Sequence, residues 1–297
     1  MNKIGSSETI RKTTFNFTNV PQRIVPHKNF IKNSFLEWFI GFSEGDGSFI
    51  VSNKRLFFII NQKQEKILNY IRANLGFGKV SRYLSYSRYI VADRNCVDKL
   101  ISIFNGNLVL YKTNAGFALW LIARNQYSVE KLCYRGVNQF TSFHNNGWLS
   151  GFTDAEGCFN AQKVKDSRYT LGFTVRVRFV LDQKDEYALF EKIRSFLKTG
   201  FITNRTLSSA GDSRTLLKKT ENRKLHSMYR YTCSNMKSHD ILIQYYKKYP
   251  LRTIKKVSLF RFTLVCYYIK NRKSLPWQGK VLLRVENLVK NINSDKS

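Results

Sequence analysis

The sequence predicts an α+β fold assembled from one module used twice. Three observations predict it. A short stretch recurs, first as Phe35-Leu-Glu-Trp-Phe-Ile-Gly-Phe-Ser-Glu-Gly-Asp-Gly-Ser-Phe49 and again as Asn146-Gly-Trp-Leu-Ser-Gly-Phe-Thr-Asp-Ala-Glu-Gly-Cys-Phe159. The residues after each copy read with the same alternating periodicity: helix, two strands, helix, two strands, helix. Landmark residues also keep constant offsets that change only where a hairpin loop belongs.

Each copy is an apolar segment with a small residue mid-helix, closing on acid-small-acid-Gly and leading into a Phe-containing strand. The final acids, Asp46 and Glu156, lie 110 residues apart. Gln62-Lys63 and the helical stripe Leu68, Ile71, Leu75 match Gln183-Lys184 and Leu189, Ile193, Leu197, with the offset now 121. Gly78 and Gly200 close those helices at an offset of 122. Asn107-Leu108, Lys112 and Phe117 match Pro250-Leu251, Lys255 and Phe260 at 143. Phe117 with Leu121, and Phe260 with Leu264, predict closing helices. The offset steps fall near 163–168 and within the Ser/Lys/Arg-rich stretch 203–226. Val175, Val177 and Phe179 alternate with Thr174, Arg176, Arg178 and Val180, a strand with one wet, basic face.

These landmarks divide the chain into a basic extension (1–30), a first half (31–133), a polar linker (134–145), a second half (146–272) and a tail (273–297). The extension holds one acid, Glu8, and reads as a loose segment, with a transit peptide as the other possibility. The tail carries one helical pattern, 281–292, before it ends in solvated residues.

Composition narrows the partners. The formal net charge of +30, from 50 Lys+Arg against 20 Asp+Glu, is spread over both halves and calls for an extended polyanion, DNA or RNA. A hydrophobic fraction of 43% with 23 Phe and 16 Tyr excludes a disordered tail protein. No apolar run reaches the ~18 residues of a membrane span, so no membrane partner is expected. The cysteines (Cys96, Cys133, Cys158, Cys233, Cys266) are isolated and the four histidines scattered, which argues against a zinc or disulfide framework and for a reducing compartment. Abundant Lys, Asn, Ile, Phe and Tyr with four Pro fits AT-rich coding, as in an organellar genome.

The repeated motif carries the chemistry. Gly41 and Gly45 are four apart, as are Gly151 and Ala155, and small residues at that spacing form a bare stripe on which two helices can cross closely. Their C-terminal ends would then meet and set Asp46 beside Glu156. Carboxylates there face the negative end of the helix dipole and repel one another unless cations neutralise them. Hard oxygen donors suit Mg²⁺, and two acids, Mg²⁺ and a basic surface are the parts of metal-assisted phosphodiester hydrolysis. A single acid-Gly at a helix end would read equally well as a helix C-cap. Two aligned copies argue for a site.

Both copies resemble the LAGLIDADG motif of homing endonucleases and related maturases, over all nine positions of 39–47 and 149–157. The resemblance covers roughly 33–270, including the Pro-Leu-x-x-x-Lys signature at Pro250–Lys255. It implies a monomer of two αββαββα halves related by a pseudo-twofold axis, each with a saddle-shaped antiparallel sheet over double-stranded DNA. Asp46 and Glu156, with Gly45 and Ala155 beside them, become the metal site for two or three Mg²⁺ ions. Lys255 and its repeat mate Lys112 fall near the scissile phosphates, where a lysine stabilises developing charge; each reads equally well as a surface lysine on backbone phosphate. Departures are Phe39 and Ile40 for Leu-Ala, Glu44 where Asp is commoner, and Asn107 opposite Pro250.

The saddle assigns to DNA the strand residues sharing parity with Ser48: Ser48, Ile50, Ser52 and Lys54, then Cys158, Asn160, Gln162, Val164, Thr174, Arg176 and Arg178. Arg to guanine and Asn or Gln to adenine are the major-groove pairings, and Ile50 and Val164 suit thymine methyls or shape. Phe49, Val51, Val175 and Val177 should face the helices. The halves differ at each DNA-facing position, so the target should be long and asymmetric. The reading is a site-specific, Mg²⁺-dependent double-strand DNA endonuclease encoded within a mobile intron, in a mitochondrion or other organelle. The alternatives are an RNA maturase that helps its host group I intron splice, and a catalytically dead DNA-binding module.

Overall fold

The computed structural model describes residues 15–20, 31–139, 142–208 and 227–294. The first half runs α1 (Asn33–Asp46), β1 (Gly47–Ser52), β2 (Arg55–Gln62), α2 (Glu65–Leu75), β3 (Lys79–Arg82), β4 (Ser87–Val91), α3 (Arg94–Phe104) and α4 (Tyr111–Gln126). The second runs α5 (Trp148–Glu156), β5 (Gly157–Lys165), β6 (Phe173–Lys184), α6 (Tyr187–Leu197), β7 (Phe201–Asn204), a single turn α7 (Arg205–Ser208), β8 (Met228–Cys233), α8 (Met236–Lys248) and α9 (Lys255–Lys270). A last helix, α10 (Gly279–Lys290), completes the chain's described elements. Both sheets are antiparallel and share one strand order, β1-β2-β4-β3 and β5-β6-β8-β7. The expected α+β duplication is present, with one further helix in each half besides the single turn α7. These are α3 and α8, whose N-caps Asp93 and Asn235 accept the amides of Cys96 and Lys237.

The stripes read from the sequence are buried: Leu68, Ile71, Leu75 on α2 and Leu189, Ile193, Leu197 on α6. Gly78 and Gly200 have φ of +85° and +117°, and each backs onto a buried ring, Tyr89 or Tyr231. Those hydroxyls donate to Phe77 O and Thr199 O, so the same corner is built twice. The hairpins explain the first offset step. β1–β2 turns on two left-handed residues, Asn53 and Lys54 (φ +48° and +61°), a geometry that matches strand twist. β5 and β6 are longer, nine and twelve residues, and the loop between them accommodates the insertion. Most of the second step, 209–226, lies outside the described residues.

Three expectations are corrected. The 143 offset holds into Leu110 and Thr253 but not along the closing helices. Phe117 is fully buried against Phe49 at 5.3 Å, whereas Phe260 is 63% exposed and Phe262 packs on Phe159 at 5.2 Å. Two extra residues have entered at the start of α9. Second, the extension is not loose over 15–20: Phe15 and Val20 are buried, and Asn16 and Asn107 exchange hydrogen bonds of 2.8 Å in both directions. That pairing gives Asn107 a task that Pro250 could not perform. The helical pattern read in the tail is present as α10, and it packs: Trp277, Val285 and Ile292 are buried and Arg261 donates to Asn291 O and Ser294 O. Third, Lys54 lies in the hairpin turn rather than on the strand, and Val51, though of Phe49's parity, is 47% exposed.

Candidate catalytic centre at the crossed helices

α1 and α5 cross on their small residues. A methyl on Gly41 would stand 2.1 Å from Trp148 O, and one on Gly151 only 1.8 Å from Trp38 O, so neither position has room for a side chain. A methyl on Gly45 would meet Ala155 Cβ at 2.4 Å and Glu156 Cγ at 3.1 Å. The crossing therefore brings together the C-terminal ends that carry Asp46 and Glu156. Trp38 and Phe42 stack at 4.9 Å on one helix, Trp148 and Phe152 at 4.8 Å on the other.

The sixth-position acids of the two motifs, to which the sequence assigned no task, lock this crossing. Trp148 Nε1 donates to Glu44 Oε2 at 2.5 Å, and Trp38 Nε1 donates to Asp154 Oδ2 at 2.8 Å. Glu44 Oε1 also accepts the amides of Val109 and Leu110 at 2.7 and 2.6 Å. Asp154 accepts the amides of Arg252 and Thr253 at 2.7 and 3.2 Å, and the Thr253 hydroxyl at 2.5 Å. Each acid thus ties its motif helix to the opposite motif helix and to the closing helix of its own half. Burial pushes Glu44 up to about 8 against the hydrogen bonds it receives, and raises Asp154 likewise.

Asp46 and Glu156 line a cavity of about 510 Å³ with Lys112, Asp182, Lys184 and Glu186. Gln62 Nε2 donates to Asp46 Oδ2 at 2.5 Å, so a residue that served the sequence only as a register mark holds this acid in place. Burial pushes Asp46 up to about 6, with Lys255 and Gln62 pulling the other way. Burial, then the Asp46 charge, pushes Glu156 up to about 7 against Lys255 and Lys112. Burial lowers Lys255 although three carboxylates, Asp154, Asp46 and Glu156, favour its charge. Lys255 Nζ donates to Ala155 O at 2.7 Å and Thr153 O at 3.1 Å, carbonyls in the last turn of α5. Lys112 is exposed at the cavity rim, so the repeat mates occupy different environments.

Asp182 is the further acid here, and it adds to the rise at Glu156. Arg230 holds it with two bonds of 2.7 Å. Its repeat mate is Asn61, bonded to Arg88 at 2.9 Å; sequence reasoning missed Asp182, and the 121 offset beside Gln62 and Gln183 was the signal that could have found it. Among the described residues no three His, Cys, Asp or Glu side chains converge as a metal site. The two carboxylates, set among helix-end carbonyls and raised by burial, are hard oxygen donors. They fit a divalent ion that takes its remaining ligands from water and phosphate.

On the bare sheet faces, Ser48, Ile50 and Ser52 are exposed, as are Cys158, Gln162 and Arg176, while Asn160, Val164, Thr174 and Arg178 are half-buried. Asn160 pairs in register with Arg178, Gln162 with Arg176 and Val164 with Thr174, so the seven second-half residues form one patch. Within it Arg178 Nη2 reaches Gln162 Oε1 at 2.9 Å. Parity along β1, β5 and β6 could not find Arg88 and Arg230, which stand on the same faces from β4 and β8. Strand order was needed. Arg88 is also flanked by the stacked rings of Tyr83 and Tyr86.

The profile of the LAGLIDADG endonucleases matches residues 39–123 and 149–266. A Neurospora crassa protein, "Probable intron-encoded endonuclease 4", is 36% identical over 250 residues, covering 82% of this chain and 42% of that protein. The "Uncharacterized cox1 intron-2 37.2 kDa protein" of Schizosaccharomyces pombe is 24% identical over 281 residues, covering 93% and 78%. The chain thus spans about two fifths of the first relative's length and most of the second's. Its fold matches the crystal structure of the I-SmaMI LAGLIDADG homing endonuclease bound to cleaved DNA with a TM-score of 0.66 at 16% identity, over 88% of this chain and 98% of that one.

Proposed function

The chain belongs to the LAGLIDADG endonuclease family, and we propose that it is a site-specific double-strand DNA endonuclease acting as a monomer, with 31–133 and 146–272 as its two halves. The observation that carries this reading is the crossing of α1 and α5. It gathers Asp46 and Glu156 between two antiparallel sheets whose bare faces carry Arg88, Arg176, Arg178 and Arg230, in a chain of net charge +30. Asp46 and Glu156 hold divalent ions, Mg²⁺ in the cell, with main-chain oxygens next to them as the other protein donors. Bound there, Mg²⁺ would neutralise charge at the phosphate and acidify water.

The chain's own residues do the rest. Gln62 keeps Asp46 in one orientation. Lys255, anchored on α5, keeps positive charge beside both acids, and Lys112 supplies it from the rim of the cavity. The arginines and amides of the sheet faces place the duplex and read its base edges. The halves differ on their DNA-facing positions, so the target is long and asymmetric. The relatives' intron-encoded names and the AT-biased composition support expression from an organellar intron, in a mitochondrion.

The test is a plasmid carrying the uninterrupted exon junction of the host gene, incubated with Mg²⁺ and then with EDTA. A discrete Mg²⁺-dependent double-strand break, slowed at least about a hundredfold in Asp46→Asn or Glu156→Gln, is the expected outcome. No cleavage, with tight binding to the intron RNA instead, would replace this reading with the maturase.

A further inference from the structure

Each sheet carries a short row of three side chains across its bare face. In the first half the row is Asn61, Arg88 and Ser81, side by side on β2, β4 and β3. In the second it is Asp182, Arg230 and Thr203 on β6, β8 and β7. Both rows share the face of Ser48 and Cys158, which pair with Ile59 and Val180, two residues before Asn61 and Asp182. Both also lie beside the catalytic centre. Gln62, which follows Asn61, donates to Asp46, and Asp182 lines the cavity that holds both acids. Further out the faces diverge, with Ile50 opposite Phe57 in one and Asn160 opposite Arg178 in the other. Acceptor, arginine and small hydroxyl thus recur where the neighbouring pairs have changed.

The acceptors fix the arginines in one orientation. Arg230 donates from Nε to Asp182 Oδ1 and from Nη2 to Asp182 Oδ2, both at 2.7 Å. Arg205 approaches the same carboxylate only at 3.8 Å, so Arg230 is its main partner. Arg88 donates from Nε to Asn61 Oδ1 at 2.9 Å and from Nη2 to the Tyr86 hydroxyl at 3.3 Å. The stacked rings of Tyr83 and Tyr86 flank its guanidinium at 5.4 and 5.7 Å. In both rows the neighbouring strand takes Nε, and the Nη1–Nη2 end is the edge that matches O6 and N7 of guanine. We infer that Arg88 and Arg230 each read a guanine, one in each half of the target at matched distances from the cut. Asn61 and Asp182 are the positioning residues that aim them. The inference rests on the endonuclease reading. A phosphate clamp is the competing use of a surface arginine, and Asp182 speaks against it. Its carboxylate cancels the charge a phosphate would attract, yet holds the fork rigid, as base reading requires. Asn61 aims Arg88 without cancelling its charge, so Arg88 keeps a pull on phosphate that Arg230 lacks.

The unaltered full chain would first select its target from a randomised duplex pool by cleavage, which locates the cut. Competition binding without divalent metal would then scan that target one base pair at a time. A G·C pair should stand in each half-site at the same distance from the cut, and replacing either should weaken binding roughly five- to a hundredfold. Arg230→Ala should flatten the preference at one of these pairs and Arg88→Ala at the other, each sparing the second pair. Asp182→Asn should keep the guanine preference and steepen the log–log salt slope by about one, whereas Asp182→Ala should lose most of the preference. Placing 7-deazaguanine, which lacks N7, at either pair should weaken binding to the unaltered chain. Absence of guanine at matched positions, or arginine variants that weaken all duplexes alike, would overturn the inference. A chain that cuts nothing in the pool would instead fail the endonuclease reading, and the inference with it.

Discussion

Asp46 and Glu156 are repeat mates with different neighbours: Asp46 is held by Gln62, and Glu156 stands near Asp182. Both carboxyls lie above their ordinary values, at about 6 and about 7, chiefly because they are buried. The folded protein therefore binds these protons more tightly than the unfolded chain. The stability they contribute is full below about pH 4, the carboxyl range of an unfolded chain, and is lost as pH rises through 6 and 7. A divalent ion favours the ionised forms and reverses the loss, so Mg²⁺ should raise Tm clearly at pH 8 and little at pH 5.5. Scanning calorimetry at both pH values, on the unaltered chain and on Asp46→Asn with Glu156→Gln, checks this. Equal shifts at both pH values would remove the pair as metal ligands.

At the scale of elements, the crossing of α1 and α5 was legible because Gly41, Gly45, Gly151 and Ala155 announce it by spacing alone. The latches across it were not. A sequence shows Trp38, Glu44, Trp148 and Asp154, but only the crossing pairs each tryptophan with the acid of the other motif. The closing helices make a related point. Their equivalence was legible from the Leu108 and Leu251 landmarks, yet the face of α9 that packs was misread by two residues. Burial decides it: Phe262→Ala should destabilise by about 3–4 kcal/mol, while Phe260→Ala should change stability by less than about 0.5 kcal/mol, as exposed sites do. Urea unfolding of the two variants separates the registers.

The whole molecule is a strongly basic surface organised around one acidic centre. Arg88, Arg176, Arg178 and Arg230 come from both sheets onto their bare faces, so many phosphates should be engaged at once. Binding to duplex DNA should then weaken steeply with salt, by roughly 10³–10⁵ between 50 and 200 mM if six to ten phosphates are contacted. Anisotropy titrations of a labelled duplex at several salt concentrations measure that slope, and a slope near zero would contradict an extended polyanion surface. The packing of 15–20 against Asn107 and of α10 against α9 belongs to this scale too. The extension was read as loose and the tail as one helix before solvated residues, because composition says nothing about where Phe15, Val20, Trp277 and Val285 will land.

Sequence alone determined the duplication, the strand and helix periods, the small-residue stripes and the two final acids. Each is encoded locally, by residue type at fixed spacing, and survives without knowledge of what lies opposite. Tertiary structure decided what depends on the partner across a gap. It showed Gln62 on Asp46, Lys255 turned onto the end of α5, and the sixth-position acids bridging three helices. Those pairings span from about sixteen to more than a hundred residues of chain, and the close crossing of α1 and α5 brings those between the halves within hydrogen-bond reach.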